Sequence, residues 1–432
     1  MAADPRATLQ PGVAPREAFG WAMFDFANSG YTTVVLTAVF NAYFVSTVAQ
    51  GAPWATFAWT LAIGASSALV MLAGPVVGAW ADAHAAKKRA LAVSAAGCVG
   101  STALLAFAGP GDIYFAALFV IVSNLAFSLG ENLIAAFLPE IARPEALGRV
   151  SGWGWSLGYL GGILSLGLSL AWILSAETRG STTAASVPGT MLITAGVFAA
   201  ASLPTFVLLR ERAKPQPSSA RLSHSFARLV RTAQEASRYR DLLAVFACGT
   251  LYQAGVSTVV TLAAIYASEA MGFGMQETLM LVLVVNATAA VGAFAFGYAQ
   301  DRMGNVRALR WTLIGWVAMV VVAWAATTPA LFWVAANIAG LCMGSSQSAG
   351  RALVAYFSPP ERTGEFFGLW GVATRLAAIL GPITYGALTW LSQGDHRLAI
   401  LSTGVFFVAS IGCLAFVNEP RGREAATRAG AL

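Results

Sequence analysis

Four ionisable side chains, Asp25, Glu131, Arg351 and Arg375, stand inside otherwise apolar stretches of this 432-residue chain. A charge at the centre of a hydrocarbon medium costs roughly 2.5–3.5 kcal/mol on insertion scales, so such groups face a partner or a cavity instead of lipid. Their neighbours at helical spacing define the faces. Asp25, Asn28, Ser29 and Thr32 recur at i, i+3, i+4 and i+7, and Asn124, Ser128 and Glu131 form a similar stripe with Asn132 beside it. Asn337, Gly344, Gln347 and Arg351 share one side of a later segment; Gly364, Gly368, Gly371 and Arg375 share one side of the next. Gln253 and Ser257, with Tyr252 adjacent, complete the polar set.

Three kinds of chemistry fit the two acids. A carboxyl in a cavity that alternates between two solvents can load and release a proton. Two acids and two arginines can instead hold a solute, the carboxylates taking an ammonium and Arg375 a carboxylate. Or the acids are structural, paired to arginines or helix-end amides. For Glu131, expected near mid-depth, all three stand; for Asp25, close to its helix start, the structural reading comes first. Tyr159, Trp153, Trp155 and Trp370 are candidate cavity walls, although Trp and Tyr also gather at membrane interfaces. The isolated cysteines (Cys98, Cys248, Cys342, Cys413) form no C-x-x-C pair, and the three histidines fall in expected loops. No catalytic set, metal site, cofactor motif or nucleotide-binding loop is expected, and no nucleic-acid partner.

The elements that position these groups follow from composition. The chain is 57% hydrophobic and 11% charged, with a mean hydropathy of +0.67 and 43 glycines. Lipid is the solvent such a chain requires, and small residues let its helices approach closely. Residues 1–18 have prolines and charges but no apolar core, so no cleavable secretion signal is expected. Apolar windows fall at roughly 21–48, 55–81, 90–109, 113–138, 150–175, 189–209, 242–268, 276–300, 308–327, 329–357, 365–391 and 398–417. An all-α membrane protein of twelve spans results.

With these windows, 22 of the 26 Lys and Arg residues fall on one face. The positive-inside rule makes that face, with both termini, cytoplasmic. The expected divisions are a cytoplasmic N-terminus (1–20), two six-helix halves (21–209 and 241–417), a basic linker (210–240) and a cytoplasmic tail (418–432). Within the linker Phe226, Leu229, Val230 and Ala233 follow helical spacing, so it reads either as an amphipathic helix on the inner leaflet or as a solvated connection.

The halves are parallel copies. GAWADAHAAKKR after span 2 matches GYAQDRMGNVR after span 8, pairing Gly78 and Asp82 with Gly297 and Asp301. PEALGRVSG before span 5 matches PERTGEFFG before span 11. Two such halves can rock about a shared cavity. The repeated G-x-x-x-D pattern with basic residues resembles the signature of the major facilitator superfamily. WAMFDFANSGY, AFLPEIARPEALGRVSGWGWSLGYLGG and GSSQSAGRALVAYFSPPERTGEFFG resemble one branch, the relatives of the fungal vacuolar amino-acid effluxer linked to autophagy. That resemblance implies a cavity lined by spans 1, 4, 7 and 10, flanked by 2, 5, 8 and 11. It implies amino-acid efflux for the fungal members and little for bacterial ones.

The first loop departs from the superfamily pattern. Ala83 and Ala85 stand where Arg and Gly are usual, leaving Lys87, Lys88 and Arg89 to supply charge; the second loop keeps Arg302 and Gly304. Span 5 has GYLGG without the proline of the antiporter signature. Asp82 is expected to meet the N-terminus of span 11 as a latch, where helix-end amides favour an anion, unless its motif makes only a tight turn. Asp301, Arg149 and Arg351 join Asp82, Arg89 and Arg302 as gating candidates, and Asp25 and Glu131 are the coupling candidates. Asn28, Thr32, Asn124, Asn132, Tyr159, Tyr252, Gln253, Gln347 and Arg375 are the substrate-binding candidates. The expected function is alternating-access transport of a small polar organic solute such as an amino acid, coupled to protons, by a monomer in a bacterial inner membrane. Export of hydrophobic or drug-like compounds, or a receptor or lipid-translocating role, are the alternatives.

Overall fold

A computed structural model describes residues 8–213, 239–271, 273, 275–393 and 396–429. The linker positions proposed for an amphipathic helix, Phe226 to Ala233, lie outside the described residues. Among the described residues twelve long helices run in two sets of six: α1 (Pro15–Val48), α2 (Ala55–Ala83), α3 (Lys87–Leu104), α4 (Ile113–Ala135), α5 (Leu147–Glu177) and α6 (Thr183–Leu208); then α7 (Arg240–Met271), α8 (Met275–Met303), α9 (Asn305–Ala325), α10 (Pro329–Phe357), α11 (Thr363–Leu391) and α12 (His396–Leu414). A short polar helix, α13 (Glu419–Ala429), follows. Eleven of these meet the length and hydropathy of a span on their own; the twelfth, Ile400–Leu414, does so only together with α13, from which it is bent by 67°.

Several boundaries differ from the hydropathy windows, because polar first turns are satisfied by protein. The first helix begins at Pro15, not at 21, and Glu17 in its first turn is buried against Arg210 and Arg212. Ahead of it, Leu9 pairs with Ala142, and Gln10 donates to the Ile141 carbonyl at 2.8 Å. Inside the spans, Pro75, Pro188, Pro204 and Pro382 sit within helices, as neighbouring helices in lipid allow.

Within α1, the Thr32 and Thr33 hydroxyls both donate to the Ser29 carbonyl (3.0 and 2.9 Å). Beyond them the ladder widens to π-helix over Thr32–Ala38 and again over Phe44–Val48. Single π-turns commonly mark functional positions, and this one borders the central cavity. Glycines of α5 bring it against α1: a Cβ at Gly158 would lie 2.9 Å from Ser29 Oγ, and one at Gly162 3.0 Å from Thr33 Oγ1. The GYLGG run is therefore a packing surface within the first half.

Each half is also sealed by its own exit. Glu211 after α6 accepts from the Lys87 and Lys88 amides at the start of α3 (2.8 and 2.9 Å). Glu419 after α12 accepts from the Asn305 and Val306 amides at the start of α9 (3.1 and 3.4 Å). Next to these caps, Arg212 pairs with Glu17 at the foot of α1, and Arg421 pairs with Asp241 at the foot of α7 (2.6 Å). Charge at a helix N-terminus is stabilised by unpaired amides and the dipole.

The two α2–α3 and α8–α9 turns are equivalent, yet Ala85 (φ +49°) stands where the second has Gly304 (φ +94°). Left-handed backbone costs an L-residue roughly 1–2 kcal/mol that glycine avoids. Ala85→Gly is therefore expected to stabilise the folded protein by about 1 kcal/mol, raising the midpoint of thermal unfolding in detergent. An unchanged or lowered midpoint would contradict this.

Candidate functional site

Arg351, from α10 in the second half, is inserted into the first half. Its Nη1 meets Asp25 Oδ2 at 2.6 Å, its Nε donates to Ser151 Oγ at 3.0 Å and its Nη2 to the Ser151 carbonyl at 2.8 Å. The guanidinium carbon lies 4.8 Å from the Trp21 ring centroid and 5.4 Å from that of Trp155. Planar, permanently charged arginine suits such a buried, stacked, multiply bonded position. Trp21 is held in turn by the Ile134 carbonyl (2.8 Å). Gly154 makes room for the assembly, since a Cβ there would strike both charged groups. Asp25 is thus paired across the halves, at one end of the cavity.

Beyond this pair, two glycine seams join the halves. On one, Gly74 and Gly78 of α2 press against Gly368 and Gly364 of α11; a Cβ at Gly364 would lie 2.8 Å from the Gly78 carbonyl. On the other, Gly148 and Gly152 of α5 press against Gly297 and Ala293 of α8. A carboxylate ends each seam. Asp82 accepts from the Gly364 and Glu365 amides (3.1 and 3.0 Å) at the start of α11. Asp301 accepts from the Arg149 amide (3.2 Å) at the start of α5, with Arg149 Nε 3.3 Å from its other oxygen. Both contacts place an anion at a helix N-terminus. They lie at the end of the bundle that carries the α2–α3 and α8–α9 turns.

Of Lys87, Lys88 and Arg89, the cations expected to supply charge near Asp82, Lys87 forms the contact. Lys87, 1% exposed, bridges Asp82 (3.7 Å), Glu140 and Thr363 Oγ1 (3.1 Å). Arg89 and Arg302 are exposed and take part in neither contact. The helix turn explains it: α3 begins at Lys87 with its first side chain pointing back into the protein, and Arg89, two residues on, faces away.

Between the seams and the opposite face lies a cavity of about 420 Å³. Asp25, Asn28, Ser29 and Thr32 line it from α1, Glu131 and Asn132 from α4, Gln253 and Ser257 from α7, Gln347 and Arg351 from α10, and Thr374 and Arg375 from α11. Gln253 and Gln347 exchange amide hydrogen bonds at 2.6 and 3.2 Å. Arg375 donates to Ser128 Oγ at 2.5 Å. No ion pair within 4.0 Å is recorded for Glu131 or Arg375 among the described residues, and Glu131's charged neighbours are Arg375, Asp25 and Arg351. Asn28 Oδ1, Asn132 Nδ2 and Trp155 Nε1 are buried in the wall without a hydrogen-bond partner. Buried polar atoms normally are paired, so these three supply unspent hydrogen-bonding capacity beside two charges.

Three expected binding residues lie elsewhere. Asn124 is fully buried, donating to Ser66 Oγ of α2 at 2.5 Å, so its stripe turns from the cavity to a helix contact one turn above Ser128. Tyr252 is also buried, packed beside Trp370 and against Gly350. Tyr159 borders a second, apolar volume instead of the polar cavity. Residues that the sequence reading missed include Ser151, which binds Arg351 through side chain and backbone, and Trp21, which stacks on it. The aromatic residue one turn ahead of Asp25 was the available signal for Trp21.

Comparison with known proteins agrees with this architecture. A family model described as vacuole effluxer Atg22 like matches residues 145–427. An uncharacterised MFS-type transporter, YxiO of Bacillus subtilis (strain 168), is 29% identical over 406 residues, 92% of this chain and 94% of that one. Autophagy-related protein 22-1 of Penicillium rubens is 22% identical over 314 residues, 66% of this chain and about half (51%) of its own length. Among solved structures, the human organic anion transporter MFSD10 superposes with a TM-score of 0.68 at 15% identity, covering 93% of this chain and 100% of that one. The proton:xylose symporter XylE superposes with 0.69 at 14%, covering 94% and 96%. A bacterial homologue of the iron transporter ferroportin, in an outward-facing state, superposes with 0.67 at 14%, covering 93% and 98%. At these identities the structures establish the fold alone.

The glycine seams predict a conformational effect. Gly364→Leu places atoms where the Gly78 carbonyl and Asp82 now lie, and is expected to open the basic face. In a background lacking the native cysteines, Asn28→Cys should then react with an impermeant maleimide from that face at least ~10-fold faster, a shift of about 1.4 kcal/mol. Equal labelling with and without Gly364→Leu would mean the seam does not hold the face shut.

Proposed function

The chain belongs to the Atg22-like vacuole effluxer family and is an MFS-type, multi-pass membrane transporter, and from the chemistry of its cavity we propose that it moves a small polar solute carrying both charges, with amino acids first among them. The observation that carries this reading is the contrast between its two charged pairs. Asp25 and Arg351 are locked together, whereas Glu131 and Arg375 face the cavity without an ion-pair partner, beside three unpaired polar atoms. A solute ammonium at Glu131 and a solute carboxylate at Arg375 would complete that set with charge-assisted hydrogen bonds.

In this reading the basic face is cytoplasmic, as the positive-inside rule favours, and the present arrangement faces outward. The contacts at Asp82 and Asp301 support it. Opening inward would separate the seams, free the two carboxylates and withdraw Arg351 from Asp25. Glu131 is the proton-coupling group of the proposal. It sits on the cavity wall of the first half, opposite Arg375 of the second, and a proton there changes what the solute amine meets. Export is the direction that the family description favours.

Thermal-shift screening of the purified protein against amino acids, small peptides, sugars and organic cations identifies the solute; transport is then read in proteoliposomes. Arg375→Ala is expected to weaken solute binding about 10- to 100-fold, the loss of a hydrogen bond to a charged group, while the protein remains folded. Glu131→Gln is expected to retain binding within about tenfold but lose stimulation by a pH gradient. Full proton dependence in Glu131→Gln, or unchanged affinity in Arg375→Ala, would remove the corresponding role.

A further inference from the structure

A second chamber of about 440 Å³ opens off the polar cavity into the second half. Leu281 and Val285 of α8, Trp316 of α9, Phe332 and Met343 of α10 and Tyr385 of α11 form its walls, and Ala335, Ala336 and Ala339 leave its space. Thr32, Thr37, Trp155, Val260 and Gln347 line both volumes, so the two adjoin along these five residues. The two differ in chemistry: the charged side chains all line the first, and none lines the second.

Of its polar residues, Asn286 and Thr258 already donate to carbonyls of their own helices, and most of the wall is aliphatic or aromatic. Flexible Met343 and Met319 suit an occupant of variable shape. Together the two volumes fall in the upper part of the roughly 300–1,000 Å³ range of pockets for drug-sized ligands.

We propose that this chamber is a tail subsite, and that the transported solute is amphipathic: a charged head held by Glu131 and Arg375, and an extended apolar tail lying between α8 and α10. The head assignment rests on the function proposed above; the tail assignment rests on the chamber and the wall it shares with the cavity. Ala339 sets the depth of the subsite and Met343 guards its neck.

The test uses straight-chain α-amino acids from alanine to 2-aminododecanoate, with the full-length protein in lipid nanodiscs and binding read by tryptophan fluorescence, for which Trp155 and Trp316 are reporters in the walls. Affinity is expected to rise roughly three- to fourfold per methylene until the chamber is full. Ala339→Leu should bring the plateau to a shorter chain while leaving the short members unchanged, and Met343→Ala should move it to a longer one. Arg375→Ala should lower every member by a common factor. 1-Bromodecane, which has the tail without the head, is the companion probe and should quench the wild type more than Ala339→Leu. Affinity independent of chain length would overturn the tail subsite and leave the head assignment standing. No binding by any amino acid, with quenching by the bromoalkane that Ala339→Leu reduces, would overturn the head and uphold the chamber. Bromoalkane quenching equal in wild type and Ala339→Leu would overturn the chamber.

Discussion

The arginine of α10 is the part on which the closed arrangement turns. It is a charge that belongs to one half and is solvated by the other: a carboxylate, a hydroxyl, a carbonyl and two indole faces, all from the first half, stand in for water. Removing one partner from a buried pair of this kind costs about 3–5 kcal/mol, because the survivor is left uncompensated. Separating the halves therefore demands that something else, water or solute, answer both charges at the moment they part. The cavity lies directly against them.

Around that bolt the fold uses contrast in texture. Glycine brings backbone against backbone where the halves meet, as it also does between α5 and α1 inside the first half, while Phe24 against Phe198 and Trp316 stacked on Phe407 add bulk within the halves. Small residues let helices approach this closely in lipid, where no hydrophobic force drives them together.

Much of this was legible in the chain. Hydropathy gave the spans, the duplicated Gly-x-x-x-Asp segments gave the parallel halves, and the helix-dipole argument led to Asp82 at the start of α11. What the chain could not disclose was tertiary. Helical spacing put Asn124 on the stripe of Glu131, but only the position of α2 shows that this part of the stripe meets Ser66 instead of the cavity. Asp25 and Arg351 are 326 residues apart, and nothing local pairs them. Lys87, Lys88 and Arg89 are equivalent cations in the sequence, and only the start of α3 shows that Lys87 is the one turned inward. The caps at Glu211 and Glu419 escaped the repeat search because Glu211 and Glu419 differ by 208 positions, against the 219 that separates Asp82 from Asp301. The apolar chamber had no signature, since its lining is what any membrane helix presents to a neighbour.

Those two exit caps have a mechanical consequence. Because Glu211 fastens the end of the first half to its own third helix, and Glu419 the end of the second half to its own ninth, each bundle is a closed ring of ties that ends where it began. Torque applied at the cavity is then borne within a bundle and not by the strand that leads out of it. The two bundles are then stiff bodies, and the glycine seams are the surfaces on which they meet.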